Sequence, residues 1–178
     1  MLLAGSMLSN ILFGIIGAPI VYHMLGKGPD MVGKLSLMIG GGYLLGNLTN
    51  RLFINKISGN KLVKIGLKIY AIALVFMGIC VFLKLFIPAV ATIFLISYAC
   101  GFIFPNTLAK CLTMHKEYLS FTAASQGSFM LFFVSIWSYA ISRFKIISTP
   151  SMLCTFIMVL VWLIFAYALS HKIEKIKA

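Results

Sequence analysis

The residues of this chain best placed to do chemistry are amides, hydroxyls and aromatic rings that recur at helical spacing inside apolar stretches. Ser36, Gly40, Tyr43, Asn47 and Asn50 are separated by 4, 3, 4 and 3 residues, which puts them on one face of a helix. Ser6, Asn10, Phe13 and Gly17 follow the same pattern at 4, 3 and 4, as do Thr122, Gln126, Phe129 and Phe133. Ser97, Gly101 and Phe104 share a face of a further helix. Polar groups directed at lipid are costly, so such faces point at other helices or at a wet cavity. Together they can line a mixed aromatic and amide cavity suited to amphipathic organic molecules. Its expected wall is Asn10, Phe13, Gly17, Tyr43, Asn47, Ser97, Gly101, Gln126, Phe129 and Phe133. Interhelical packing is the ordinary role of any one of these residues; the cavity reading rests on four helices sharing the pattern. Gly42 and Gly46 add a small-xxx-small pair that lets another helix backbone approach closely.

This is binding chemistry, and the patterns that would indicate catalysis fail. The acidic residues are Asp30, Glu117 and Glu174, none inside an apolar segment, so paired-carboxylate catalysis and an intramembrane proton relay have no candidates. Gly28 to Lys34 reads G-x-x-x-x-G-K, but Leu35 stands where a phosphate loop needs Ser or Thr for magnesium. His23, His115 and His171 lie at or outside segment ends, far apart and without metal-ligand spacing. Cys80, Cys100, Cys111 and Cys154 lie in apolar segments without such spacing and read as small apolar core residues. The expectation is therefore a protein that is not an enzyme and uses no metal and no cofactor.

The elements that must position these faces are long and apolar. Of 178 residues, 61% are apolar and 10% charged, against about a quarter charged in an ordinary soluble domain. So little hydrophilic surface leaves lipid as the expected solvent. Crossing a bilayer takes roughly 20 mainly apolar residues, and spans are expected at about 2–24, 31–54, 62–85, 88–113, 121–141 and 151–170. A basic tail, 171–178, follows, and no soluble domain is expected beyond the spans. Turn-like Gly26-Lys27-Gly28-Pro29-Asp30 separates the first two segments, and the polar run Asn55 to Lys61 separates the next two. Met1 opens onto apolar sequence with no basic n-region and no cleavage site, so the first segment is expected to be retained, as a helix whose upstream linker belongs to something else.

The formal net charge of +12 would indicate nucleic acid in a soluble protein. Here the basic residues read as single positions at segment ends, which is the positive-inside pattern. One side collects Arg51, Lys56, Lys61, Lys64, Lys68, Lys110, Lys116, Lys172, Lys175 and Lys177; the other collects Lys27, Lys34, Lys84, Arg143 and Lys145. The richer side is expected to be cytoplasmic, and an even number of spans puts both termini there. Gly17-Ala18-Pro19 in the first segment and Gly101 with Pro105 in the fourth interrupt matched positions of two three-helix repeats, a pointer to transporter binding regions.

These features together resemble the major facilitator superfamily, in particular its drug:proton antiporters of the bicyclomycin and chloramphenicol resistance type. The resemblance covers essentially the whole chain, but only as the second six helices of that fold. Leu2-Leu3-Ala4-Gly5 through Ala18-Pro19-Ile20-Val21-Tyr22 is similar to the family's seventh helix. Leu45-Gly46-Asn47, Asn50-Arg51-Leu52 and Lys64-Ile65-Gly66-Leu67 resemble the region linking helices eight and nine, with its basic cytoplasmic loop motif. Phe104-Pro105-Asn106-Thr107 resembles the end of helix ten, and Thr122-Ala123-Ala124-Ser125 the start of helix eleven. Phe121 stands where the family usually has Gly, and no acid lies near Asn47 to Arg51.

The resemblance implies an all-α membrane protein, six helices in two inverted three-helix repeats, in a bacterial inner membrane. It implies proton-coupled export of amphipathic small molecules by alternating access. The proton-coupling groups of such transporters lie mostly in the first six helices, so an N-terminal half is the expected partner, beside lipid and substrate and without nucleic acid. The alternatives are a nonfunctional remnant of a split or truncated transporter gene and, further off, a self-assembling six-helix channel.

Overall fold

The computed structural model describes residues 29–114 and 149–177, with scattered positions between 120 and 135. Among the described residues the protein is all helical, with four helices defined end to end: α1 (Pro29–Phe53), α2 (Gly59–Phe82), α3 (Phe86–Met114) and α4 (Thr149–Lys177). They occupy the second, third, fourth and sixth expected segments. The first segment lies outside the described residues, and of the fifth only scattered helical positions are described.

Local sequence explains where the helices begin and end. Proline at the first position of α1 needs no hydrogen-bond partner for a missing N–H, and Arg51 in its last turn opposes the negative end of the helix dipole. The helical start at Pro29 also carries Gly33 and Lys34 into α1, so the glycine-lysine pattern forms no phosphate-binding loop. The end of α2 is closed by Lys84, whose φ of 56° is left-handed. Its N–H bonds the Val81 carbonyl at 3.1 Å and the Leu85 N–H bonds the Cys80 carbonyl at 2.8 Å. That pair of bonds is a Schellman closure, usually built on glycine. It turns the chain into α3 within three residues.

One expectation changes here. Pro105 does not interrupt the fourth segment, because α3 runs unbroken past it to Met114. Proline removes one backbone donor from a helix, and polar side chains gather on the same turn. Asn106 Nδ2 donates to the Phe102 carbonyl at 2.7 Å, and Thr107 Oγ1 to those of Ile103 and Phe104 at 2.8 and 2.9 Å. The charged segment after residue 170 is helical too, since α4 continues through Lys177.

Packing follows small and β-branched residues at heptad spacing. Gly66, Ala73 and Cys80 are buried at seven-residue intervals along α2, with Leu62 ahead of them and Tyr70 and Met77 between. Ile93, Ile96, Cys100 and Ile103 form the matching seam of α3, and Phe156, Val159 and Leu163 of α4 complete the core. A Cβ at Gly66 would sit 2.7 Å from Ile103 Cγ1 and 3.1 Å from the Ala99 carbonyl oxygen, so glycine sets how near these two helices lie. α3 packs against both α1 and α2, and α4 packs against α2. Leu153 of α4 lies beside Gly78, so α4 starts next to the end of α2.

The outer surface is apolar. On α2, Ile72, Val75, Phe76, Ile79 and Phe82 are all more than half exposed, Phe82 at 87%. Met158, Val161 and Phe165 form a comparable face on α4. Gly59–Phe82 and Ala91–Lys110 are long and apolar enough to cross a membrane. Of the cysteines, Cys80 and Cys100 belong to the interior as expected, whereas Cys154 is exposed on α4.

Candidate functional site

The polar face of α1 meets α3 through glycine. A Cβ at Gly46 would collide with the Tyr98 carbonyl oxygen, and one at Gly42 would lie 2.7 Å from the Phe94 carbonyl oxygen. Reciprocally, a Cβ at Gly101 would lie 2.7 Å from both the Gly46 Cα and the Asn47 nitrogen. The two backbones are thus in direct contact, as the Gly42/Gly46 pair predicts. Below this crossing, the Asn106 side-chain amide donates to Asn50 Oδ1 at 2.7 Å, both residues being buried. Buried amides need partners, and here α1 and α3 supply them to each other.

The expected cavity wall divides on this seam. Ser97 and Gly101 are buried between α1 and α3, where Ser97 Cβ lies against Gly42, so both serve helix packing at that crossing. Tyr43 and Asn47 lie at its margin, half-buried, with Asn47 Nδ2 donating to the Tyr43 carbonyl at 3.0 Å. The Tyr43 ring is tilted 58° against Phe104 with centroids 6.4 Å apart. Further along the same face, none of the described residues lies within 4 Å of a Cβ placed on Gly33 or Gly40. The structure therefore brings Tyr43, Asn47 and Phe104 together beside a stretch of α1 that no other described helix covers. Asn10, Phe13, Gly17, Gln126, Phe129 and Phe133 lie outside the described residues.

No protein-family model, curated protein or solved structure matches the chain. The site is therefore read from its own residues.

A second feature corrects the reading of the basic residues as single charges at segment ends. Lys61, Lys64 and Lys68 are all exposed, and their spacing of 3 and 4 places them on one face over the first three turns of α2. With Lys56 from the preceding turn they line an open recess of about 500 Å³ that also includes Ser58, Ile57 and Ile65. The intervals are visible in the sequence, but the contribution of the turn before α2 is not. Lys110 Nζ donates to Asn60 Oδ1 at 3.0 Å, tying the far end of α3 to the start of α2. The helix directions thus gather Arg51, Lys56, Lys61, Lys64 and Lys110 toward one end and leave Lys34 and Lys84 toward the other. Among the described residues, no group of three His, Cys, Asp or Glu is positioned to hold a metal ion.

Proposed function

We propose that this chain forms a six-helix half of a drug-efflux transporter resembling the major facilitator superfamily. It embeds in the membrane and works with another six-helix half, on the same polypeptide or on a separate chain. The observation that carries the reading is the face of α1. Gly42 and Gly46 lock this helix to α3, while Tyr43 and Asn47 stand beside Phe104 at the margin and no other described residue covers the surface at Gly33 and Gly40. Such a face offers ring and amide contacts to an amphipathic molecule and room for a facing helix. Alternating access needs rigid walls that rock about a central site, and backbone contact between α1 and α3 makes a rigid wall.

The basic end is the cytoplasmic one in this reading, by the positive-inside rule. Proton coupling is assigned to the other half. In this half the buried polar residues of the described helices, Asn50, Thr92, Ser97, Asn106 and Thr107, do not titrate.

The test measures accumulation of a fluorescent amphipathic cation in cells expressing this half, an N-terminal half, or both. Efflux is expected only with both halves present. Full-rate efflux by this half alone would sink the half-transporter reading. Absence of efflux in every pairing would instead favour a nonfunctional remnant.

A further inference from the structure

We propose that the outer stripe of α2 is a binding site for an anionic phospholipid of the leaflet at the basic end. The inference rests on the reading of α2 as a membrane helix, and not on transport. Residues 61, 65, 68, 72, 75, 79 and 82 advance by alternating 4 and 3, so they form a single stripe along the helix. The stripe changes character along its length. Lys61 and Lys68 mark its first part, with Lys64 alongside, and Ile72, Val75, Ile79 and Phe82 make up the rest, all exposed. From Ile72 to Phe82 the helix rises about 15 Å, which is about half of a hydrocarbon core roughly 30 Å thick. The 24 residues of α2 rise about 36 Å in all, enough to cross that core. Lys61, Lys64 and Lys68 therefore fall in the leaflet at the basic end with their ammonium groups reaching headgroup level, and the apolar stripe continues from them into the core.

The basic part is a recess, not a flat charged face. Lys56, Lys61, Lys64 and Lys68 line a volume of about 500 Å³, and none of its described lining residues is acidic. Ser58, also in the lining, has extended backbone (φ −61°, ψ 144°) before α2 but makes no side-chain capping hydrogen bond. Its hydroxyl is therefore not committed to the helix end beside the recess. The positive-inside rule accounts for lysines on this side of a membrane, but it does not require them to converge on one helix face. An anionic phosphate would offset the mutual repulsion of these ammonium groups. Ile65, between the lysines, meets the upper acyl chain, and long lysine stems reach the headgroup layer from within the apolar zone.

The experiment uses the full chain purified from membranes, with retained lipids counted by native mass spectrometry. Resistance to carbonate extraction is measured first, since a chain that carbonate removes would overturn the membrane reading and this proposal together. For an extraction-resistant chain, phosphatidylglycerol should be retained over phosphatidylcholine. Each lysine near an anionic surface contributes severalfold, so the K61Q/K64Q/K68Q variant should lose at least about tenfold of that preference. K61R/K64R/K68R should keep it, as should K34Q/K84Q at the other end. Equal retention of the two lipids by the native chain overturns the site, as does unchanged preference in the glutamine variant. Displacement by millimolar inorganic phosphate assigns the recess to a free anion and overturns the lipid. If the triple glutamine variant does not fold, K64Q and K68Q tested singly must each lower the preference.

Discussion

Asn106 of α3 reaches across a buried seam to Asn50 of α1, its side-chain nitrogen 2.7 Å from the asparagine oxygen. The same nitrogen also donates to its own helix at Phe102, so one amide fixes the turn after Pro105 and the neighbouring helix together. Interhelical hydrogen bonds in membrane proteins contribute about 0.6 kcal/mol on average and up to about 1.7. A double-mutant cycle with Asn50→Ala and Asn106→Ala should give a coupling in that range when unfolding is followed in mixed detergent micelles. Strictly additive effects would mean that the two amides do not interact.

The glycines of the crossing predict a sharp positional contrast. Gly46→Ala and Gly101→Ala push a methyl group into backbone atoms that cannot rotate away. Each should destabilise by about 1–3 kcal/mol, the usual range for overpacking. Gly40→Ala meets no described neighbour and should leave melting in detergent unchanged or slightly raised, as alanine is the better helix former.

At the α2–α3 turn, Lys84 holds the left-handed conformation normally given to glycine. Lys84→Gly should preserve or raise thermal stability, whereas the β-branched Lys84→Ile should lower it by about 1 kcal/mol or more. Scanning calorimetry or dye-detected melting in detergent distinguishes the two. Equal melting of both variants would argue against the Schellman closure.

Orientation is open to a direct labelling test. In a cysteine-free background, Lys56→Cys should react with an impermeant maleimide only when the cytoplasmic face is opened. Lys84→Cys should react in intact cells. The reverse pattern would invert the proposed topology.

The two half-buried polar residues and the two seam residues should fail in different ways. With both halves present, Tyr43→Ala and Asn47→Ala should lower efflux severalfold while the amount of folded protein is maintained. Ser97→Leu and Gly101→Leu should instead lower the amount of folded protein, because they lie between packed helices. Immunoblotting against transport rate separates these outcomes. A loss of efflux confined to the seam variants would remove Tyr43 and Asn47 from the substrate path.

The sequence by itself determined that the chain is helical and apolar, because long apolar runs with sparse charge leave few other ways to satisfy backbone hydrogen bonds without water. It also determined which faces of the helices carry polar groups, since spacing along a helix is arithmetic. Gly42 and Gly46 were legible as a close-approach surface for the same reason. Tertiary structure decided what each polar face meets. Ser97 and Gly101 share the periodicity of Tyr43 and Asn47, yet they are buried against α1, a difference that depends on which helix lies opposite and not on the spacing. Pro105 reads as a break, but the helix continues through it, with Asn106 and Thr107 bonding carbonyls of the same turn. The basic recess likewise needed the fold: Lys56 joins Lys61, Lys64 and Lys68 only because the chain turns tightly between α1 and α2. Periodicity describes one helix at a time, whereas a site is made by the second helix that comes to lie against it.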